Sequence, residues 1–106
     1  MSVLMTMWMQ GDPKRFEETA AQDPDRLRKI ADQAKEAGVL AHRFYGTEDG
    51  QMMVIDEWPD EQSFQSFFES QQGDIGSLME EVGVQGEPQI RFWRKLESHD
   101  EIGWGA

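Results

Sequence analysis

Apolar residues recur along this chain with two periods, every second position in some segments and every third or fourth in others. Residues 3–9, VLMTMWM, read as a strand that is apolar on both alternations. Val3, Met5, Met7 and Met9 share one face, and Leu4, Thr6 and Trp8 share the other. Gly11 ends this strand, and Asp12-Pro13 supplies an N-cap and a first-turn proline for a helix. The same signal returns at Asp23-Pro24 and predicts a break or kink there. Beyond it Leu27, Ile30, Ala31 and Ala34 fall on one helical stripe, with Gly38 as the stop.

Two β-like runs follow, VLAHRFYG at 39–46 and QMMVIDEW at 51–58, with Asp49-Gly50 between them as a hairpin signal. A two- or four-residue loop puts Val39, Ala41, Arg43, Tyr45, Met52, Val54, Asp56 and Trp58 on one face. Leu40, His42, Phe44, Met53, Ile55 and Glu57 then take the other. A three-residue loop with a bulge inverts one of the two strands. Pro59-Asp60 opens the next helical region, in which Phe64, Phe67 and Phe68 form one stripe. Ile75, Leu78, Met79 and Val82 form a second, separated from the first by Gln-Gln-Gly at 71–73. Gly83, Gly86 and Pro88 mark a loop, QIRFWRKL at 89–96 reads as the last strand, and residues 97–106 are an acidic tail in which Ile102 and Trp104 are able to dock.

The order is β-α-β-β-α-β, one domain over residues 1–96 followed by the tail. RFY at 43–45 and RFW at 91–93 close its two halves. The expected fold class is α+β: a ferredoxin-like split βαβ with helices on one face of a four-stranded antiparallel sheet. Helices that cover one face leave the apolar alternation of strands 1 and 3 bare on the other. A second copy packed sheet to sheet removes that exposure, so a homodimer with a two-fold interface is expected.

Composition narrows the partners. The net charge is −11, from 21 acidic and 10 basic residues, and such a surface repels phosphate backbones and anionic membranes. No nucleic-acid or membrane partner is therefore expected. No apolar run approaches the ~20 residues of a membrane helix, and the N-terminus lacks the basic and small-residue pattern of a signal peptide. Cysteine is absent, which removes disulfides, thiol nucleophiles and cysteine metal sites, and fits a cytoplasmic protein.

The stretch VIDEWPDEQSFQSFFES resembles a signature of the dimeric α+β barrel proteins of the antibiotic-biosynthesis-monooxygenase (ABM) type. In that pattern a strand ends in an aromatic residue and a short turn leads into an aromatic helix. Trp58, Phe64, Phe67, Phe68 and Ser70 fall on it. The resemblance spans about residues 3–96. It implies a dimeric barrel with a cleft between sheet and helices for a small apolar or aromatic molecule, and cofactor-independent monooxygenation as a possible activity. Haem-degrading relatives use an asparagine on the first strand, a tryptophan in the second helical region and an iron-ligating histidine. Here Phe67 stands at the tryptophan position, residues 77–80 hold no histidine, and the chain has no asparagine. Haem degradation is not expected. In the oxygenase members the asparagine donates a hydrogen bond, for which Thr6, Gln10 or His42 are the substitutes, while Trp8 stands in for the tryptophan.

His42 is the histidine of the predicted scaffold and a candidate general base, with Trp8 as a second catalytic candidate. Under the even-loop register Glu57 is the carboxylate beside His42, and the reading opposed to catalysis is an ordinary structural His–carboxylate pair. Arg43 and Asp56 are expected to pair on the opposite face, where with Tyr45, Trp58 and Trp93 they form the dimer interface. Phe44, Phe64, Phe67, Phe68, Leu78 and Met79 are the expected ligand-pocket lining, or else a filled core. No metal site, nucleotide loop or serine triad is legible, and no cofactor is expected. The alternative to an oxygenase is a non-catalytic dimeric module that has lost the family's active-site residues.

Overall fold

The computed structural model describes residues 1–103. Its elements are β1 (Val3–Gln10), α1 (Pro13–Gln22), α2 (Pro24–Glu36), β2 (Ala41–Gly46), β3 (Gln51–Trp58), α3 (Glu61–Ser70), α4 (Gln72–Glu81) and β4 (Gln85–Arg94). The strands make one antiparallel sheet in the order β2-β3-β1-β4. With the helices packed on one face, this is the ferredoxin-like α+β arrangement. Trp104, one of the two tail residues expected to dock, lies outside the described residues, and Ile102 is exposed. Residues 95–103 hold no helix or strand.

Local chemistry accounts for where the helices start and stop. The Asp12 carboxylate accepts hydrogen bonds from the Lys14 and Arg15 backbone N–H groups, and Pro13 fills a position that needs no N–H. Pro24 plays the same part in α2, so the expected break falls between Gln22 and Pro24. Gly38 follows α2 at φ +109°, a left-handed conformation suited to glycine, as Val39 N–H returns to the Ala34 carbonyl. Asp60 caps α3 by accepting from Ser63 N–H at 2.7 Å, and that bond holds its carboxyl below the usual carboxylate range.

The β2–β3 hairpin corrects the even-loop reading. Thr47 N–H donates to the Gln51 carbonyl, and Gly50 adopts φ +90°, so Glu48-Asp49-Gly50 is a three-residue loop. His42 therefore stands opposite Asp56 and Phe44 opposite Val54, on the helix side, while Ala41, Arg43 and Tyr45 face outward with Glu57, Ile55 and Met53. Asp56 and Arg43 are on opposite faces and do not form the expected pair. The last strand also differs from expectation, because it begins at Gln85 rather than after Pro88. Its register against β1 shifts between Trp8 and Gln10, so Gly86 and Pro88 sit in a bulge of an edge strand. Such a position tolerates a residue without an N–H.

The core lies between the inner sheet face and the helices. Met5, Met7 and Met9 of β1 meet Met52, Val54 and Trp58 of β3, with Ala34, Phe64 and Phe67 from the helices closing over them. The outer sheet face carries Leu4, Trp8, Met53, Ile55, Tyr45 and Trp93, with Trp93 still 47% exposed in the single chain. Two bonds pin the outer indoles: Trp8 Nε1–H donates to Gln51 Oε1 at 3.0 Å, and Trp93 Nε1–H donates to Thr6 Oγ1 at 2.9 Å.

Helix α4 is the weakest of the layer by composition, with Gly73 and Gly76 in its body and open space where either Cβ would stand. Replacing Gly76 by Ala is expected to raise stability by about 0.5–1 kcal/mol, seen as a higher urea midpoint at unchanged slope. Gly83→Ala is expected to lower it, since Gly83 adopts φ +77° and a Cβ added there would stand 3.3 Å from the Arg15 guanidinium.

Candidate functional site

A cavity of about 80 Å³ remains between the inner sheet face and the four helices. Its walls are almost wholly apolar. Met5, Met7, Met9, Met52 and Met79 contribute five thioethers, and Phe44, Phe64, Phe67, Phe68 and Leu78 contribute much of the rest. All six side chains expected as pocket lining are thus on its wall. Phe16 of α1, which sequence reasoning did not single out, joins them. Its ring packs against Phe44 with centroids 4.5 Å apart, and the pair divides the cavity from a wider outer groove of about 890 Å³. That groove runs between the start of α1 and the end of β2, along Lys14, Tyr45 and Thr47.

One polar couple interrupts the apolar wall. His42 Nδ1 lies 2.6 Å from Asp56 Oδ1, and Trp58 Nε1–H donates to Asp56 Oδ2 at 3.1 Å. Both carboxylate oxygens are engaged, as a carboxylate that is 4% exposed requires. The His42 side chain is 33% exposed, so its ring stands between cavity and solvent, with the Phe44 ring against it edge to face at 5.1 Å. Trp58 is fully buried and held in place by α3. Phe64 packs edge-on at 5.8 Å and Phe67 tilts against it at 5.5 Å.

The inverted hairpin register produces this couple, and it corrects the expected places of Glu57, Asp56 and Trp58. Glu57, the expected partner of His42, faces outward and accepts from the Ser2 hydroxyl at 2.5 Å. Asp56 and Trp58, expected in the dimer interface, are buried under the helices and cannot reach a second sheet. Arg43, Tyr45 and Trp93 do lie on the open face, where Arg43 donates to the Tyr45 hydroxyl at 3.3 Å. Trp8 sits on that outer face as well, with the sheet between it and the cavity, and does not join His42. The partnership of Asp56 with His42 was missed from sequence. The signal that points to it is Glu48-Asp49-Gly50, whose glycine suits the left-handed end of a three-residue loop.

No group of three or more histidine, cysteine, aspartate or glutamate side chains able to hold a metal ion occurs among the described residues, and no helix among them is long and apolar enough to cross a membrane. The chemistry on offer is acid–base: an imidazole backed by a buried carboxylate at the edge of an apolar chamber.

Several solved structures share this fold. A putative antibiotic biosynthesis monooxygenase from Bordetella bronchiseptica superposes with a TM-score of 0.63 at 14% identity, covering 90% of this chain and 97% of that one. A dimeric ferredoxin-like protein from an uncultured marine organism superposes at 0.64, with 14% identity and 95% and 93% of the two chains covered. A monooxygenase of Streptomyces coelicolor, solved with nanaomycin D, superposes at 0.62 with 16% identity, covering 90% and 87%. No family model matches the sequence, and no curated protein sequence matches it. The chain has the fold of the ABM-like, dimeric ferredoxin-like proteins.

Phe67 ties the aromatic helix to the site. Phe67→Ala is expected to destabilise the protein by about 3–5 kcal/mol and to weaken the near-ultraviolet dichroism of Trp58, checked by urea unfolding and by the spectrum of the folded variant.

Proposed function

We propose that this chain, built on the ABM-like fold, is a homodimer that binds a small apolar or aromatic molecule between its sheet and helices. His42 takes a proton from that molecule, and the deprotonated ligand reacts with oxygen without a cofactor. The observation that carries this reading is the one His–carboxylate couple in an otherwise apolar cavity. An apolar chamber favours an uncharged aromatic ligand and keeps water from the reacting carbon. In the oxygenase reaction the ligand loses a proton to His42 and gives an electron to O₂. The two radicals combine into a peroxide, the peroxide recovers the proton, and water leaves as a carbon–oxygen double bond forms. One oxygen atom ends in the product and the other in water, and the ligand's own electrons reduce both.

The dimer reading draws its support from the outer face, where Leu4, Tyr45 and Trp93 are exposed beside half-buried Trp8, Met53 and Ile55. Arg43 and the aromatic residues there suit an interface core. Sedimentation at micromolar concentration is expected to give a particle of twice the 12.2 kDa chain mass, and Leu4→Glu or Trp93→Glu to give single chains.

A second reading is favoured by the size of the cavity. About 80 Å³ is well under the ~300 Å³ at which ligand pockets begin, and it suits a non-catalytic dimeric module with a nearly filled core. Titration of the full chain with phenol and with 2-naphthol, followed by amide and methyl NMR, separates the two. Binding is expected to shift Met7, Val54 and Phe67 signals, and oxygen uptake with 2-naphthol is expected to fall to the uncatalysed rate in His42→Ala. An absence of shifts at any attainable concentration leaves the module.

A further inference from the structure

The open question at the cavity is what kind of molecule its one polar couple is built to meet. Asp56 is the buried centre of that couple, 2.6 Å from His42 Nδ1 on one oxygen and accepting from Trp58 Nε1–H on the other. An indole nitrogen only donates and an ionised carboxylate only accepts. Against a carboxylate acceptor the ring nitrogen that faces Asp56 is the one that carries the proton, which leaves the lone pair of a neutral ring at Nε2. Trp58, with Phe64 and Phe67 against its ring, keeps the carboxylate from rotating away. Among the described residues no lysine or arginine lines the cavity, so an anionic ligand meets the Asp56 charge with no resident cation to offset it.

We propose that Asp56, clamped by Trp58, is a positioning residue that makes His42 Nε2 the base of the site, and that the ligand is a small neutral weak acid. A phenol or an enolisable 1,3-dicarbonyl has the required chemistry, and carboxylates and phosphates are excluded. The inference rests on the cavity reading above and deepens it. In the step it assigns, the ligand's O–H or C–H bond breaks, an Nε2–H bond forms, and the electron pair stays on the ligand. The imidazolium then lies between two negative groups, Asp56 and the conjugate base it has just created. Total charge is conserved, so a neutral acid becomes an anion only once its counter-charge is in place. A ligand that arrives already ionised gains no such partner. The one-third exposed ring passes the proton to water or returns it.

The test uses the full chain in deuterated water without oxygen, which isolates proton transfer from oxygenation. The probe is 2,4-pentanedione, and NMR follows exchange at its central carbon. The wild type is expected to speed exchange over buffer, His42→Ala to lose about 10²-fold of that rate, and Asp56→Asn and Trp58→Phe to lose about tenfold or more while keeping their far-ultraviolet dichroism. Nitrogen NMR of the wild type, at a pH where the ring is neutral, is expected to show the proton on Nδ1, and Asp56→Asn to shift it towards Nε2. That wild-type spectrum needs no variant to fold, and a proton found on Nε2 overturns the assignment. Benzoate binding as tightly as phenol overturns the exclusion of anions. If phenol binds but 2,4-pentanedione exchanges no faster than in buffer, this inference fails while the ligand-binding reading stands. If neither probe shifts any cavity signal, both fail together.

Discussion

A carboxylate buried beneath an apolar helix layer is the constraint from which most of this structure follows. Asp56 sits on the central strand β3 with almost no contact with water, and leaving one of its oxygens without a hydrogen-bond partner costs about 1–3 kcal/mol or more. Its two oxygens accordingly dictate what surrounds them. One needs an indole two residues further along the same strand, and the other needs an imidazole directly across the hairpin. The hairpin register, the choice of tryptophan at the strand end and the presence of a histidine on β2 are then parts of one requirement.

That requirement gives the phenylalanines of α3 a meaning beyond hydrophobic burial. Phe64 and Phe67 are the inner stripe of an amphipathic helix, as periodicity alone demands, yet the ring they grip is the one that fixes Asp56. Phe68 stacks on Phe64 at 5.4 Å, and Phe92 of β4 meets it edge-on at 5.7 Å, so the cluster reaches from the chemistry to the far edge of the sheet. The aromatic helix thus acts on the candidate base through Trp58 and Asp56. Packing and chemistry are consecutive links of one chain here.

Much of this was legible in the residues, and the exceptions have physical reasons. The helix break at Asp23-Pro24 could be read because proline acts locally, whereas the break expected over Gln-Gln-Gly at 71–73 narrows to Gln71, with Gln72 and Gly73 already inside α4. That Val3, Met5, Met7 and Met9 share one face of β1 could be read because strand periodicity is rigid, but not that this face turns inward, since both alternations are apolar. The faces of β2 relative to β3 could not, because a loop of two, three or four residues fits the same turn signal and each change of one reverses every side chain. That single ambiguity assigned His42 to Glu57 and sent Asp56 and Trp58 to the wrong side of the sheet. The start of β4 was hidden for a different reason. Gly86 and Pro88 look like loop residues, and an edge strand can absorb them in a bulge. The cavity itself is a small difference between packed volumes, which no one-dimensional pattern records.

The methionine wall carries a consequence of its own. Thioethers are soft and shape themselves to irregular contents, but they are also readily oxidised. A sulfoxide formed on Met7 or Met52 would set a strong hydrogen-bond acceptor into a wall that offers it no donor, in the middle of the core. If oxygen is activated in this chamber, the fold survives only as long as each reduced oxygen species is consumed by the ligand before it reaches sulfur. The durability of the protein then becomes a measure of how tightly its reaction is coupled.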